Sequence, residues 1–228
     1  MAYNPPTMRY GHARVRRGRA FCSVCVVAVA TALAVAGCAA PKGGFSGFLG
    51  DYSKLERDAI LDNSLAYTNP TKDLKQYTKF IIEPVVVHFA PDADGIAIDP
   101  ADLKMLADYW RDETVKALSQ HYMVVTEPGP GVLRVRAAIT GIKKNVPLAS
   151  ARSITKPQDI GLGGASMEAE ALDAQTGERV AAVVDSRSGA VLGVTGQRQT
   201  YDDAKEIMRL WAERFVARLD IIQGRSVR

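Results

Sequence analysis

Cysteine is almost missing from this chain: Cys22, Cys25 and Cys38 are the only three among 228 residues, and none follows position 38. A disulfide framework, a thiol nucleophile and a cysteine metal site are therefore not expected in the body of the protein. Histidine is as scarce. His88 and His121 are the two beyond the N-terminal region, in separate predicted elements and without H-x-x-x-H spacing, so zinc is not expected. No Gly-x-Ser-x-Gly elbow, phosphate loop or dinucleotide fingerprint occurs, and Gly161, Gly163 and Gly164 precede no Lys-Ser/Thr. Nor is there an apolar run of the ~20 residues that a spanning helix needs.

What is present begins with a leader. Arg9, Arg14, Arg16, Arg17 and Arg19 form a positive n-region, and Phe21 to Ala36 is apolar apart from Ser23 and Thr31. Arg16-Arg17 lacks the phenylalanine that twin-arginine export expects. Met1 and Met8 both remain candidate starts, since nothing before Met8 contributes to the signal. The run closes on Leu33-Ala34-Val35-Ala36-Gly37-Cys38, small residues leading into a cysteine, as signal peptidase requires of a cysteine that will carry lipid. Residues 1–37 are thus expected to be a cleaved lipoprotein signal, with cleavage between Gly37 and Cys38 and lipidation of Cys38.

Cleavage changes the bulk properties. The whole chain is formally +4, but loss of five arginines leaves 24 Lys and Arg against 25 Asp and Glu, a formal charge of −1. The basicity belongs to the leader, which removes any expectation of nucleic acid as a partner. Cys22-x-x-Cys25 leaves with it. Residues 38–50, rich in Gly43, Gly44, Gly47 and Gly50, are expected to form a flexible tether reaching at most ~43 Å. Residues 51–228 are then one domain, long enough to bury roughly 70% of its unfolded surface without staples.

Ser53 with Glu56 is a candidate capping box for a short helix near 54–62. Phe80 to Phe89 reads as a buried strand bulged at Pro84 and covered by helices. Asp92-Ala93-Asp94-Gly95 turns the chain. It is not a calcium loop, because Ala90 and Ala101 occupy its two essential carboxylate positions. Asp99 caps a helix with Pro100 at its first position, and its apolar stripe runs from Leu103 to about Ser119. Tyr122 to Thr126 is a second strand, parallel to the first. After Pro128-Gly-Pro-Gly131, Leu133, Val135, Ala137 and Ile139 alternate inward with Arg134, Arg136 and Thr140 outward, an expected half-buried antiparallel strand. Ala165 to Leu172 and Arg179 to Val184 flank a hairpin loop, Asp173 to Gly177. Ser186 to Gln199 is a second glycine-containing loop. Thr200 and Asp203 open a last helix with the stripe Ala204, Ile207, Met208, Trp211, Phe215, Leu219 and Ile222.

Several constellations compete for a role. Ser153-Ile-Thr-Lys156 has the S-x-x-K spacing of penicillin-recognising enzymes, but Pro157 stops a helix there and the companion motifs are missing. Glu168 and Glu170 share a strand face; paired carboxylates serve glycoside hydrolysis, but i, i+2 positions on a half-buried strand read as its solvated side. Trp110 and Trp211 each sit in an apolar helical stripe and read as core. The long aperiodic stretch 145–164 carries Lys143, Lys144, Arg152 and Lys156 in or beside it, and segments of that length are commonly binding loops or disordered.

Ser46-Gly-Phe-Leu-Gly-Asp-Tyr-Ser-Lys-Leu55, Ile82-Glu-Pro-Val85, Glu127 to Thr140, Glu168-Ala-Glu170 and Asp173 to Gly177 together resemble a family of proteobacterial lipoproteins, the domain of unknown function numbered 3313. The resemblance spans about residues 46–222 and implies an envelope lipoprotein without assigned catalytic residues. In such bacteria an aspartate after the acylated cysteine retains a lipoprotein in the inner membrane. Ala39 stands there, implying the outer membrane, with the domain on its periplasmic face.

The expectation is an α+β domain, a mixed sheet of about five strands with two amphipathic helices, hung from lipid on Cys38. It is expected to be a non-enzymatic binding or accessory component, with an envelope protein as partner and no cofactor, metal or catalytic residue. The alternatives are a small-ligand binder using a cleft beside 145–164 and, less favoured, a hydrolase.

Overall fold

The computed structural model describes residues 44–58, 64–91, 93, 97–145, 163–189 and 199–225. These belong to the second of two units into which the chain divides, Cys38–Arg228. Gly37, Cys38, most of the Asp92–Gly95 turn, Arg152, the Ser153–Lys156 motif and residues 190–198 lie outside the described residues.

Eight strands make one mixed sheet: β1 (Glu56–Arg57), β2 (Leu65–Thr68), β3 (Lys79–Ile82), β4 (Val86–Val87), β5 (Met123–Val124), β6 (Val132–Lys143), β7 (Gly164–Asp173) and β8 (Arg179–Ser188). Their order is β1-β2-β8-β7-β6-β3-β5, with β4 also on β6. The two helices are α1 (Pro100–Leu118) and α2 (Asp202–Ile222). The α+β class stands, and the strand count exceeds the expected five because β1 and β2 lie where no strand was expected and the single strand expected over Phe80 to Phe89 is split into β3 and β4.

Local chemistry accounts for most elements. Asp99 Oδ1 accepts from Ala101 N at 2.8 Å and Pro100 opens α1, which ends at Ser119 as its spacing predicts. The β7–β8 hairpin turns through Asp173, whose Oδ1 accepts from Gln175 N and Thr176 N, while Gly177 supplies φ +73°. β3 and β4 both run parallel to β6, Ile82 opposite Val135 and Val86 opposite Ala138, so one extra residue bulges around Pro84. The bulge matches expectation. The covering by helices holds for Phe80 but fails at β4, where Val86 is 45% exposed. β5 is parallel to β3, as the strand–helix–strand order suggested.

Four expectations need correction. Ser53 N donates to Asp51 Oδ1 in a turn, and Glu56–Arg57 pairs with β2, so a strand stands where a helix near 54–62 was read; residues 59–63 lie outside the described residues. β6 is antiparallel only to β7 and parallel to β3 and β4, and a bulge between Ile139 and Gly141 leaves Thr140 buried. The α2 N-cap is Tyr201, with no side-chain capping bond. Asp203 instead accepts from Asn145 Nδ2 and Gly163 N, joining the ends of β6 and β7 to the start of α2. Lastly, residues 45–50 are not tether. Leu49 is buried, and Phe45 and Phe48 pack with it against Leu65, Ala182 and Val184.

The sheet thus has two covered faces. One carries α1 and α2, with Trp110 and Trp211 at 5.1 Å between ring centroids, both buried as expected. The other carries a strap formed by residues 45–52.

Candidate functional site

Between the sheet and the helices lies a cavity of about 400 Å³. Its cause is visible in the strand register. Ala137 of β6 stands opposite Ala169 of β7, which stands opposite Val183 of β8; in the next row Val135, Ala171 and Ala181 align. Alanine at the centre of three neighbouring strands leaves space that larger side chains would fill. Trp110 and Thr114 from α1, and Trp211, Phe215 and Leu219 from α2, form the roof.

Three charged groups of the lining, Asp185, Arg214 and Arg218, come from β8 and α2. Asp185 of β8 is 1% exposed and accepts from Trp211 Nε1 at 2.8 Å, Ser64 Oγ at 3.0 Å and Arg187 Nε at 2.6 Å. Arg218 is paired with Asp58. Arg214, also in the lining, is different: its Nη1 is buried and has no hydrogen-bond partner. Burial, and then the Arg187 guanidinium, lower the Arg214 pKa from its ordinary value; the Asp185 charge opposes this.

The acidic pair on β7 belongs to the opposite face and is not solvated. Glu168 and Glu170 are 1% and 5% exposed. Glu170 accepts from Arg136 Nη1 and from Arg179 Nε, each at 2.8 Å, and Glu83 takes the other side of Arg136 and Arg134. Glu168 accepts from Ser46 N at 2.7 Å and Tyr52 Oη at 2.6 Å, and Arg179 also donates to the carbonyls of Leu49 and Asp51. Burial, and then the bond to Glu168, raise the Tyr52 pKa. Both carboxylates are saturated by the chain itself, so the reading of a solvated pair is overturned. The ladder also explains Ser46 to Tyr52: Gly47 and Gly50 hold φ of +96° and +72°, which let the strap turn above its acceptors.

The two histidines have different neighbours. His121 Nδ1 lies 2.8 Å from Asp220 Oδ2, and Tyr122 Oη donates to Asp220 Oδ1. His88 meets the Phe48 ring edge. Among the described residues no group of three or more His, Cys, Asp or Glu is placed to hold a metal, and no helix is long and apolar enough to cross a membrane. Lys144 lies over the Tyr201 ring, while Arg152 and Lys156 of the expected basic cluster lie outside the described residues. Sequence reasoning missed the cavity, Asp185 and Arg214. The signal was the run of alanines at 137, 169, 171 and 181, which becomes a floor only once the strands are in register.

The family model for proteins of unknown function numbered DUF3313 matches residues 45–215, from the first strap residue to α2. The uncharacterized lipoprotein YdcL of Escherichia coli strain K12 is 26% identical over 203 residues, covering 80% of this chain and 90% of that protein. Among solved structures, the PelC dodecamer from Paraburkholderia phytofirmans aligns at a TM-score of 0.40 and 10% identity, covering 72% of this chain and 98% of that one. Protein XCC0632 from Xanthomonas campestris aligns at 0.40 and 10%, covering 69% and 91%. The chain belongs to the DUF3313 family of proteins of unknown function, and it is a lipoprotein.

Proposed function

We propose that this lipoprotein is a non-enzymatic binding protein, held by acyl chains on Cys38 at the periplasmic face of the outer membrane, and that its domain takes up a small apolar molecule. The cavity carries this reading. Its volume of about 400 Å³ falls within the roughly 300–1,000 Å³ of small-molecule sites. Aliphatic and aromatic side chains line most of it, as is usual for such sites. The cleft beside 145–164, expected from the sequence, falls on a segment whose residues 146–162 lie outside the described residues. With the strap starting at Phe45, seven residues, Cys38 to Gly44, link lipid to domain, a reach of at most about 25 Å. Two or three acyl chains make such an anchorage stable, where one would be marginal.

Native mass spectrometry of the lipoprotein released from envelopes tests the reading. A co-purifying small molecule that is lost on Ala169→Leu, which fills the floor, is the expected result. Protein that emerges empty and fails to bind an apolar fluorescent probe sinks it. Anchorage is read separately: Cys38→Ala abolishes palmitate labelling if Cys38 carries the lipid.

A second reading, an envelope protein partner, is favoured by β4. Val86 and Val87 are 45% and 36% exposed on a strand paired only with β6 among the described residues, and open apolar edges invite a partner strand. Cross-linking in intact envelopes from a photoreactive residue at position 87 tests it; failure to trap one specific protein counts against this reading alone.

A further inference from the structure

The cavity is mostly apolar, yet its lining includes a cation, Arg214, without a hydrogen bond or ion pair among the described residues. Three guanidinium nitrogens are buried without a partner among the described residues: Arg111 Nε, Arg187 Nη2 and Arg214 Nη1. Arg187 holds Asp185 through Nε, and Arg111 faces Asp112 at 3.9 Å. Arg214 has neither a hydrogen bond nor an ion pair among the described residues. On this side of the cavity three arginines (187, 214 and 218) face two aspartates, Asp185 and Asp58, each already bonded to another arginine. Glu170 and Glu83, which also border the cavity, are taken by Arg136, Arg179 and Arg134 on the opposite face. One positive charge is left over beside an apolar chamber.

Arg214 as a whole is half-buried, but an enclosed guanidinium nitrogen without an acceptor costs stability that an apolar residue there would not. Guanidinium matches a carboxylate or phosphate with paired, charge-assisted hydrogen bonds. The tryptophan-roofed, alanine-floored chamber beside it matches a hydrocarbon chain.

We infer that Arg214 is a ligand-recognition residue, and that the cavity binds a single-chain amphiphile by its hydrocarbon tail while Arg214 takes its anionic head. The head is a carboxylate, as in a free fatty acid, or a phosphate monoester. The inference rests on the cavity being the ligand site, and its test separates the two ideas.

The full lipidated protein, held in amphipol, is titrated with three twelve-carbon probes bearing a terminal diazirine: carboxylate, phosphate monoester and neutral alcohol. After irradiation, labelled peptides are read by mass spectrometry as a function of probe concentration. Expected is labelling of the β6–β8 floor or of α2, with at least one anionic probe half-saturating at a concentration tenfold or more below the alcohol. The anion that does so names the head. Arg214→Met should abolish the advantage and leave the alcohol curve in place, and Arg214→Lys should retain part of it. A melting curve for each variant checks that it is folded. Alcohol binding as tightly as both anions, or an advantage that survives Arg214→Met, overturns the inference while the cavity remains a site. Should Arg214→Met not fold, an advantage unchanged in Arg214→Gln overturns it equally. Absence of label from the cavity with every probe overturns both.

Discussion

The two faces of the sheet bury arginine in opposite ways. Under the strap, Arg136 and Arg179 share Glu170, Arg179 also donates to two strap carbonyls, and Glu83 completes the ladder. Under the helices, Arg214 Nη1 is buried beside an apolar cavity with nothing to receive it. A charge network whose donors and acceptors are matched holds a structure together. An orphaned donor next to an apolar cavity is the group that, under the proposal above, receives the head of an amphiphile. The comparison separates the part of this molecule built for stability from the part that carries a stability cost.

The largest expected effect strikes the helix-covered side through three tyrosines at once. Tyr77, Tyr122 and Tyr201 donate to Asp173, Asp220 and Asp102, and burial followed by these carboxylates pushes each phenol up to about 12. A raised folded-state pKa means the neutral form is favoured by folding. The associated stability is complete below the unfolded value of about 10 and is lost as pH rises toward 12. Circular dichroism across that window should show cooperative unfolding, with tyrosine ionisation at 295 nm coincident with it. Phenols that titrate near 10 in a folded protein break the claim.

Next comes the strap face. Glu170→Ala leaves two arginines without their shared acceptor. Removing one partner of a buried pair costs 3–5 kcal/mol, and the 39% side-chain exposure of Arg136 puts the expected loss near the low end, about 3 kcal/mol, measured by urea unfolding. Loss below about 1 kcal/mol would show that the ladder is solvated after all. Tyr52→Phe removes one of two strap donors to Glu168 and should cost about 1–2 kcal/mol. Proteolysis within residues 45–52 should accelerate in the same variant.

The smallest effect has the opposite sign. Arg214→Met exchanges a half-buried guanidinium with one enclosed, unpaired nitrogen for a thioether and should raise stability by about 1 kcal/mol. Destabilisation would mean that Arg214 serves the fold as Arg136 does, and would erase the contrast between the faces.

Local signals carried a large part of the architecture. Asp99-Pro100 started α1, the apolar stripe through Trp211 marked α2, and Asp173 to Gly177 turned the hairpin, because caps, helical period and turn chemistry act within a few residues. The same local logic misread Glu168 and Glu170, since alternation tells which residues share a face and not whether something covers it. Their cover comes from Ser46 and Tyr52, 122 and 116 residues away from Glu168. The strap itself read as tether because its glycines gave no period.

By itself the sequence determined the lipidation motif at Cys38, the near-neutral, cysteine-free body that follows it, and the α+β pattern with its family likeness. Those properties reside in composition and short spacing. Only tertiary structure decided that four alanines from three strands meet as one floor, that Glu168 and Glu170 are sealed under the strap, and that Arg214 is left beside the cavity without an acceptor. Register and long-range cover set all three, and neither is written in any stretch of chain short enough to read alone.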